Sequence, residues 1–266
     1  MPGVMLTVFL LAQAAAVAPD TEVRALTATV LDEDGQPVPG LSEQDVALSE
    51  NGVVRDITSF RVDERPLTVA VIVDTSQSAR TEYRLNVVDA VSAFVSRLPS
   101  ETSYAVWTTG DRPTKILDYT EDPAEASEAL LRIAPTGGNY MLDALAEAST
   151  DLKKEAREGD RTAVVAISGT GPELSYLDRW RSADVAEENA DLFLLLQVEV
   201  GGAGFEERAK LSYVFDRLAK ATGGKYALML SYMGADSGLR NLSPYLSAGY
   251  RLSYATVPDI KKRELE

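Results

Sequence analysis

From residue 67 onward the chain alternates between two hydrophobic rhythms. Leu67-Thr68-Val69-Ala70-Val71-Ile72-Val73 is almost continuously apolar, and residues 162–168 and 192–198 repeat the pattern. Such runs predict strands buried on both faces, as in a parallel sheet. Between them, apolar residues return every three or four positions. Leu85, Val88, Val91, Phe94, Val95 and Leu98 predict a helix over residues 81–98, stopped by Pro99. Leu142, Leu145, Ala146 and Leu152 predict the inward face of another over residues 141–157. Pro123 opens a helix running to residue 132, and Gly223-Gly224 ends one that begins at residue 205. Helices over 178–190 and 239–246, with strands over 103–108, 115–119, 225–230 and 250–255, complete the series. The predicted fold class is α/β, with a doubly wound, mostly parallel sheet. Ligands of such sheets sit beyond the carboxyl ends of the strands, which directs attention to the loops after Val73, Ile133 and Ile167.

The region ahead of Pro66 has a different rhythm. Residues 23–31 alternate in part, and residues 32–40 are dense in Asp, Gly and Pro. Ser42, with Asp45 three positions later, predicts a capped helical turn. Asn51-Gly52 predicts the tip of a hairpin, and residues 57–62 a further strand. This is a small β-rich module of about forty residues, a size that needs support from a neighbour. Residues 4–11 are mostly apolar, too short to span a bilayer, and are followed by small residues at Ala12-Gln13-Ala14 and Ala16-Val17-Ala18. They predict a signal peptide, although Met1-Pro2-Gly3 carries no basic residue. The expected organisation is a signal peptide over 1–18, the β-rich module over 19–64, a larger domain over 65–256 and a tail over 257–266, in a secreted or periplasmic protein. No other segment approaches about 18 apolar residues, so no membrane span is expected in the mature chain.

Composition narrows the chemistry. The 266 residues include no Cys and no His. That excludes thiolate or imidazole zinc sites, Cys nucleophiles, Ser-His-Asp triads and His general bases. Carboxylates, hydroxyls and backbone groups remain, a repertoire suited to hard cations held by oxygen. Net charge is −15, and Lys261-Lys262-Arg263 is the only basic cluster. Nucleic acid is therefore not an expected partner, because its binding depends on cations placed against phosphate.

Asp74-Thr75-Ser76-Gln77-Ser78 follows the first buried run directly and sets one carboxylate and two hydroxyls in one turn. The Asp-x-Ser-x-Ser spacing resembles the metal-ion-dependent adhesion site of von Willebrand factor A domains. Gly137-Gly138-Asn139-Tyr140-Met141-Leu142-Asp143-Ala144-Leu145 resembles that family's Gly-Gly-Thr-x-x-x-Asp-Ala-Leu. Leu218-Ala219-Lys220-Ala221-Thr222-Gly223-Gly224-Lys225-Tyr226 resembles its Leu-Ala-x-x-Thr-Gly-Gly-x-Tyr. The leading module, with Asp34-Gly35, Pro37-Val38 and Asn51-Gly52, and the closing Tyr250-Arg251-Leu252-Ser253-Tyr254 resemble the VWFA-related acidobacterial subfamily. The resemblance covers residues 65–256 and implies a protein that binds another protein or mediates adhesion; the leader adds that it is exported, and the missing His and Cys that it is not an enzyme. It also implies a metal site of Asp74, Ser76, Ser78 and Asn139 for Mg²⁺ or Mn²⁺, held weakly or not at all. The site departs from the family pattern twice. Asn139 stands where the family has Thr, and Gly169 stands where it has a second Asp. Glu173 and Asp143 are candidates to supply the missing carboxylate, and Asp143 also suits the start of a helix. The alternative is a scaffold domain of an envelope assembly, in which Asp74, Ser76 and Ser78 merely hold the turn.

Overall fold

A computed structural model describes residues 22–199, 205–247 and 249–257. The predicted signal peptide and the tail beyond residue 257 lie outside the described residues. The elements in chain order are β1 (Glu22–Thr29), β2 (Leu48–Glu50), β3 (Val53–Arg55), β4 (Ile57–Val62), β5 (Leu67–Val73), α1 (Arg80–Glu82) and α2 (Val88–Val95). Next come β6 (Ser103–Thr108), β7 (Thr114–Thr120), α3 (Pro123–Leu131), α4 (Met141–Glu155), β8 (Arg161–Gly169), α5 (Arg179–Glu187) and β9 (Leu192–Val198). The last described elements are α6 (Phe205–Thr222), β10 (Lys225–Met229), α7 (Ala235–Leu242), α8 (Pro244–Ser247) and β11 (Gly249–Thr256). Two compact units are built from these. One uses the described parts of Met1–Leu26, Leu41–Phe60 and Leu252–Glu266, and the other uses Thr27–Gly40 and Arg61–Arg251.

The larger unit contains a six-stranded sheet of order β10-β9-β8-β5-β6-β7. It is parallel through β6, and β7 alone runs antiparallel. The three apolar runs are its middle strands, and every residue of β5 is buried. Such strands need cover on both faces, and both are covered. Val69, Val71, Val165, Ile167, Leu194 and Leu196 pack with Val91, Phe94, Leu130 and Leu239, which brings α2, α3 and α7 to one face. Ala70, Ile72, Val164, Ala166, Phe193 and Leu195 pack with Leu145, Leu152, Ala183 and Phe215, which brings α4, α5 and α6 to the other. The doubly wound α/β sheet read from the sequence is the observed fold.

Two local differences have physical causes. The helix read over residues 81–98 carries a π-helical turn at Tyr83–Val87. A π turn holds more residues than an α turn and shifts the phase of the helix face. Leu85, expected inside, is therefore 72% exposed, while Tyr83 and Val87 are buried in its place. The helix expected over residues 239–246 is instead two, because Pro244 cannot donate its nitrogen to a continuing helix and starts α8 afresh.

The strand β11 is the middle strand of a three-stranded sheet of order β1-β11-β4. The hairpin β2–β3 turns at Asn51 and Gly52, whose φ values of 52° and 74° are the positive pair that a tight two-residue hairpin turn needs. Ser42 and Asp45 form the capping box read from the sequence. Leu48, Leu252 and Tyr254 form a small core with Leu26, Ile57 and Phe60. Beside it the fully buried Glu50 carboxylate accepts from Arg55 Nε at 2.9 Å, from the Tyr254 hydroxyl at 3.1 Å and from the Thr256 hydroxyl.

Candidate functional site

The site lies at the carboxyl ends of β6, β5, β8 and β9. Val73 stands opposite Thr108 on one side and Ile167 on the other, so the next residues, Thr109, Asp74 and Ser168, line up across three strands. Ser168 in turn stands opposite Gln197. Side chains two residues apart share a face, and Ile72, Trp107, Ala166 and Leu195 lie in the core under α4 to α6. Thr109, Asp74, Ser168 and Gln197 are thus a polar row continuing that apolar face. All four are buried. The row ends in a second network, where Gln197 Oε1 accepts from the Ser212 hydroxyl at 2.8 Å and from the Tyr226 hydroxyl.

Asp74 is the centre of the row. Its Oδ1 accepts from Ser76 N at 2.8 Å and from the Thr109 hydroxyl at 3.5 Å. Its Oδ2 accepts from Gly169 N at 2.8 Å and from Asn139 Nδ2 at 3.4 Å. Burial pushes this carboxyl above the usual range, against the opposing pull of the Ser76 and Gly169 hydrogen bonds. Ser76 Oγ and Ser78 Oγ lie 2.7 Å apart and share a hydrogen bond. Asn139 Nδ2 also donates to Ser168 Oγ at 2.8 Å, and that hydroxyl donates to Gly169 O at 3.1 Å.

Close backbone packing gathers these groups. Thr136 N donates to Thr75 O at 3.0 Å, Gln77 N to Gly137 O at 3.0 Å and Tyr140 N to Thr109 O at 3.2 Å. Gly110 fits because a Cβ there would lie 2.7 Å from Thr75 O, and Gly137, at φ +67°, because a Cβ would overlap the Asp111 carboxylate.

Residues 69–172 match the family model of the von Willebrand factor type A domain. The chain contains a von Willebrand factor type A domain. Solved structures show the same fold. Proximal thread matrix protein 1 from the mussel byssus is 17% identical over 75% of this chain and 50% of its own, with a TM-score of 0.55. A von Willebrand factor type A protein from Catenulispora acidiphila is 16% identical over 87% of this chain and 51% of its own, also at 0.55. The conserved hypothetical protein BatB from Bacteroides thetaiotaomicron is 18% identical over 66% of this chain and 97% of its own, at 0.51. The aligned part is thus about half the length of the mussel and Catenulispora proteins. The mussel protein has also been solved with zinc in its metal-ion-dependent adhesion motif. No curated protein matches the sequence.

All four residues expected in the metal site of this von Willebrand factor type A domain come together, and their donor set can be tested against a dication. A hard cation takes oxygens, and its affinity rises with the number of anionic ones. Asp74 supplies one carboxylate, with both oxygens already receiving N–H groups. The Ser76 and Ser78 oxygens are correctly placed as neighbours but are turned on each other. Asn139 directs its nitrogen, not its oxygen, toward Asp74. The candidates for a second carboxylate are engaged elsewhere. Asp143 accepts from Tyr176 N and Leu177 N at 2.9 Å each. Glu173 accepts from Ser175 N at 3.0 Å and from the backbone N–H groups of Met141 and Leu142 at the start of α4. The set as it stands does not fit a dication. Among the described residues no three His, Cys, Asp or Glu side chains form a metal-holding group.

Thr109, Ser168 and Gln197 belong to this site although the sequence did not single them out. A signal existed for the first: Thr108-Thr109-Gly110 closes a buried strand just as Asp74 closes its neighbour. Around the buried row the loops present an apolar rim. Tyr176 is 90% exposed and Leu174 50% exposed. The Tyr140 ring lies 6.0 Å from that of Tyr176.

Proposed function

We propose that this domain is an exported, non-enzymatic protein-binding module, and that its partner docks on the loops carrying Tyr140, Leu174 and Tyr176. The observation that carries the reading is Tyr176, a large aromatic side chain held almost wholly in solvent beside a second Tyr. Exposed aromatics on a rigid base are common binding anchors, because they bury much area at little entropic cost. The base here is rigid in a definite sense: Asp143 ties the backbone of Tyr176 to α4, and Leu174 N donates to Asn139 O at 2.8 Å. Export rests on the leader-like pattern at the N-terminus. Among the described residues no helix is long and apolar enough to cross a membrane. The absence of His and Cys supports binding over catalysis.

The test is capture from an envelope extract of the native host, using the mature chain and its Tyr176→Ala and Tyr140→Ala variants, with and without EDTA. One defined partner should be retained by the wild type and weakened at least tenfold by Tyr176→Ala, since a central aromatic anchor contributes about 2 kcal/mol or more. Capture that survives both substitutions favours the scaffold reading instead.

A further inference from the structure

We infer that the side-chain amide of Asn139 does in this loop cluster what a bound cation would otherwise do: it holds and compensates the Asp74 carboxylate, so the loops keep their arrangement without divalent metal. A buried carboxylate that stays ionised must be compensated by a cation or by hydrogen-bond donors. Asp74 is 1% exposed, and the groups bonded to it are uncharged: two backbone N–H groups, hydroxyls and the Asn139 amide. The orientation of that amide is set by its surroundings. Ser168 spends its hydroxyl proton on Gly169 O, so only its lone pairs remain, and these take an N–H from Asn139. Asn139 Oδ1, at the other end of the amide, is buried and accepts no hydrogen bond, so the donor end sets the rotamer.

One residue thereby joins four loops. The Asn139 side chain ties the loop after β5 to the end of β8, and its backbone bridges Gly110 after β6 and Glu173 after β8. A cation at this place would need the Ser76 and Ser78 oxygens opened away from each other and an oxygen where Asn139 presents N–H. The inference concerns what supports the loop face, and it stands whether or not a protein docks there.

The experiment is thermal melting and Mn²⁺ titration, followed by electron paramagnetic resonance, of the full mature chain. The wild-type melting temperature should be the same in EDTA and in millimolar Mg²⁺ or Mn²⁺, with no saturable Mn²⁺ binding. Asn139→Asp is nearly isosteric and puts a second carboxylate beside Asp74. That variant should melt several degrees lower in EDTA, bind Mn²⁺ saturably and regain its stability on doing so. Asn139→Ala should lose similar stability and regain none with Mn²⁺. Saturable stabilisation of the wild type by Mn²⁺ would overturn the inference, and so would an Asn139→Asp variant indifferent to Mn²⁺. If Asn139→Asp does not fold in either condition, the wild-type titration decides alone.

Discussion

Asp74→Ala tests whether the carboxylate is a structural post. The substitution leaves Ser76 N and Gly169 N, both in the buried loop cluster, without their acceptor. Each orphaned buried donor costs about 1–3 kcal/mol. Against this stands the relief of no longer burying a carboxylate, the cause of its raised pKa. The net loss should be about 2–4 kcal/mol. In a domain of this size each kcal/mol moves the midpoint by about 2–4 °C, so melting should fall by roughly 4–16 °C. Ser78→Ala is the control, because its hydroxyl has one hydrogen bond, to Ser76, and its loss should stay near 1 kcal/mol or below. Urea unfolding followed by tryptophan fluorescence reads both, since Trp107 is buried in the core under α4 to α6. The losses should be equal in EDTA and in Mg²⁺. A loss for Asp74→Ala no larger than for Ser78→Ala, or one present only with Mg²⁺, would refute the reasoning.

Three further outcomes follow from other parts of the molecule. Burial pushes the Glu173 carboxyl up to about 7 despite its hydrogen bonds, so the stability it contributes is full below its ordinary value and lost as pH rises through about 7. Urea unfolding should show a decline of at most about 3 kcal/mol from pH 4.5 to pH 8, and Glu173→Gln should flatten it. Glu50→Ala removes the buried acceptor of Arg55, Tyr254 and Thr256 and should cost about 3–5 kcal/mol, read by hydrogen exchange in β2, β3 and β11. Leu85→Ser should change stability by less than about 0.5 kcal/mol, whereas Val87→Ala should cost about 1–3, the reverse of what an unbroken α-helical phase implies.

The sheet was legible because its cause is local. A strand covered on both faces must be apolar at nearly every position, and β5, β8 and β9 are. The alternation with helices then leaves few topologies, since parallel crossovers are long and right-handed. The π turn at Tyr83–Val87 was not legible, because Leu85 satisfies the helical spacing as well as its neighbours do. Packing selects the other phase: Tyr83 and Val87 enter the core with Leu130 and Leu239, and the Tyr83 hydroxyl donates to Leu130 O at 3.0 Å.

The site was half legible for a different reason. A motif states which atoms arrive at a place, and Asp74, Ser76, Ser78 and Asn139 do arrive together. It does not state which of those atoms still have free lone pairs. Asn139 reads in sequence as a possible oxygen ligand, yet its rotamer depends on whether Ser168 has a proton to give, and that depends on Gly169 O. Gln197 sits inside an apolar strand and joins the row only through its register with Ser168. Once those bonds are traced, the Asn at position 139 has a local counterpart in Asp74. Gly169 offers its N–H to Asp74, and Asn139 adds another. The N–H at position 169 would be there with Asp as well, so of the two departures only Asn139 both weakens a cation site and strengthens the hydrogen bonding of the carboxylate that remains. If that is the relation, changing either one toward an oxygen anion should create a demand for metal, and Gly169→Asp should raise Mn²⁺ affinity as Asn139→Asp does, by calorimetry on the same protein.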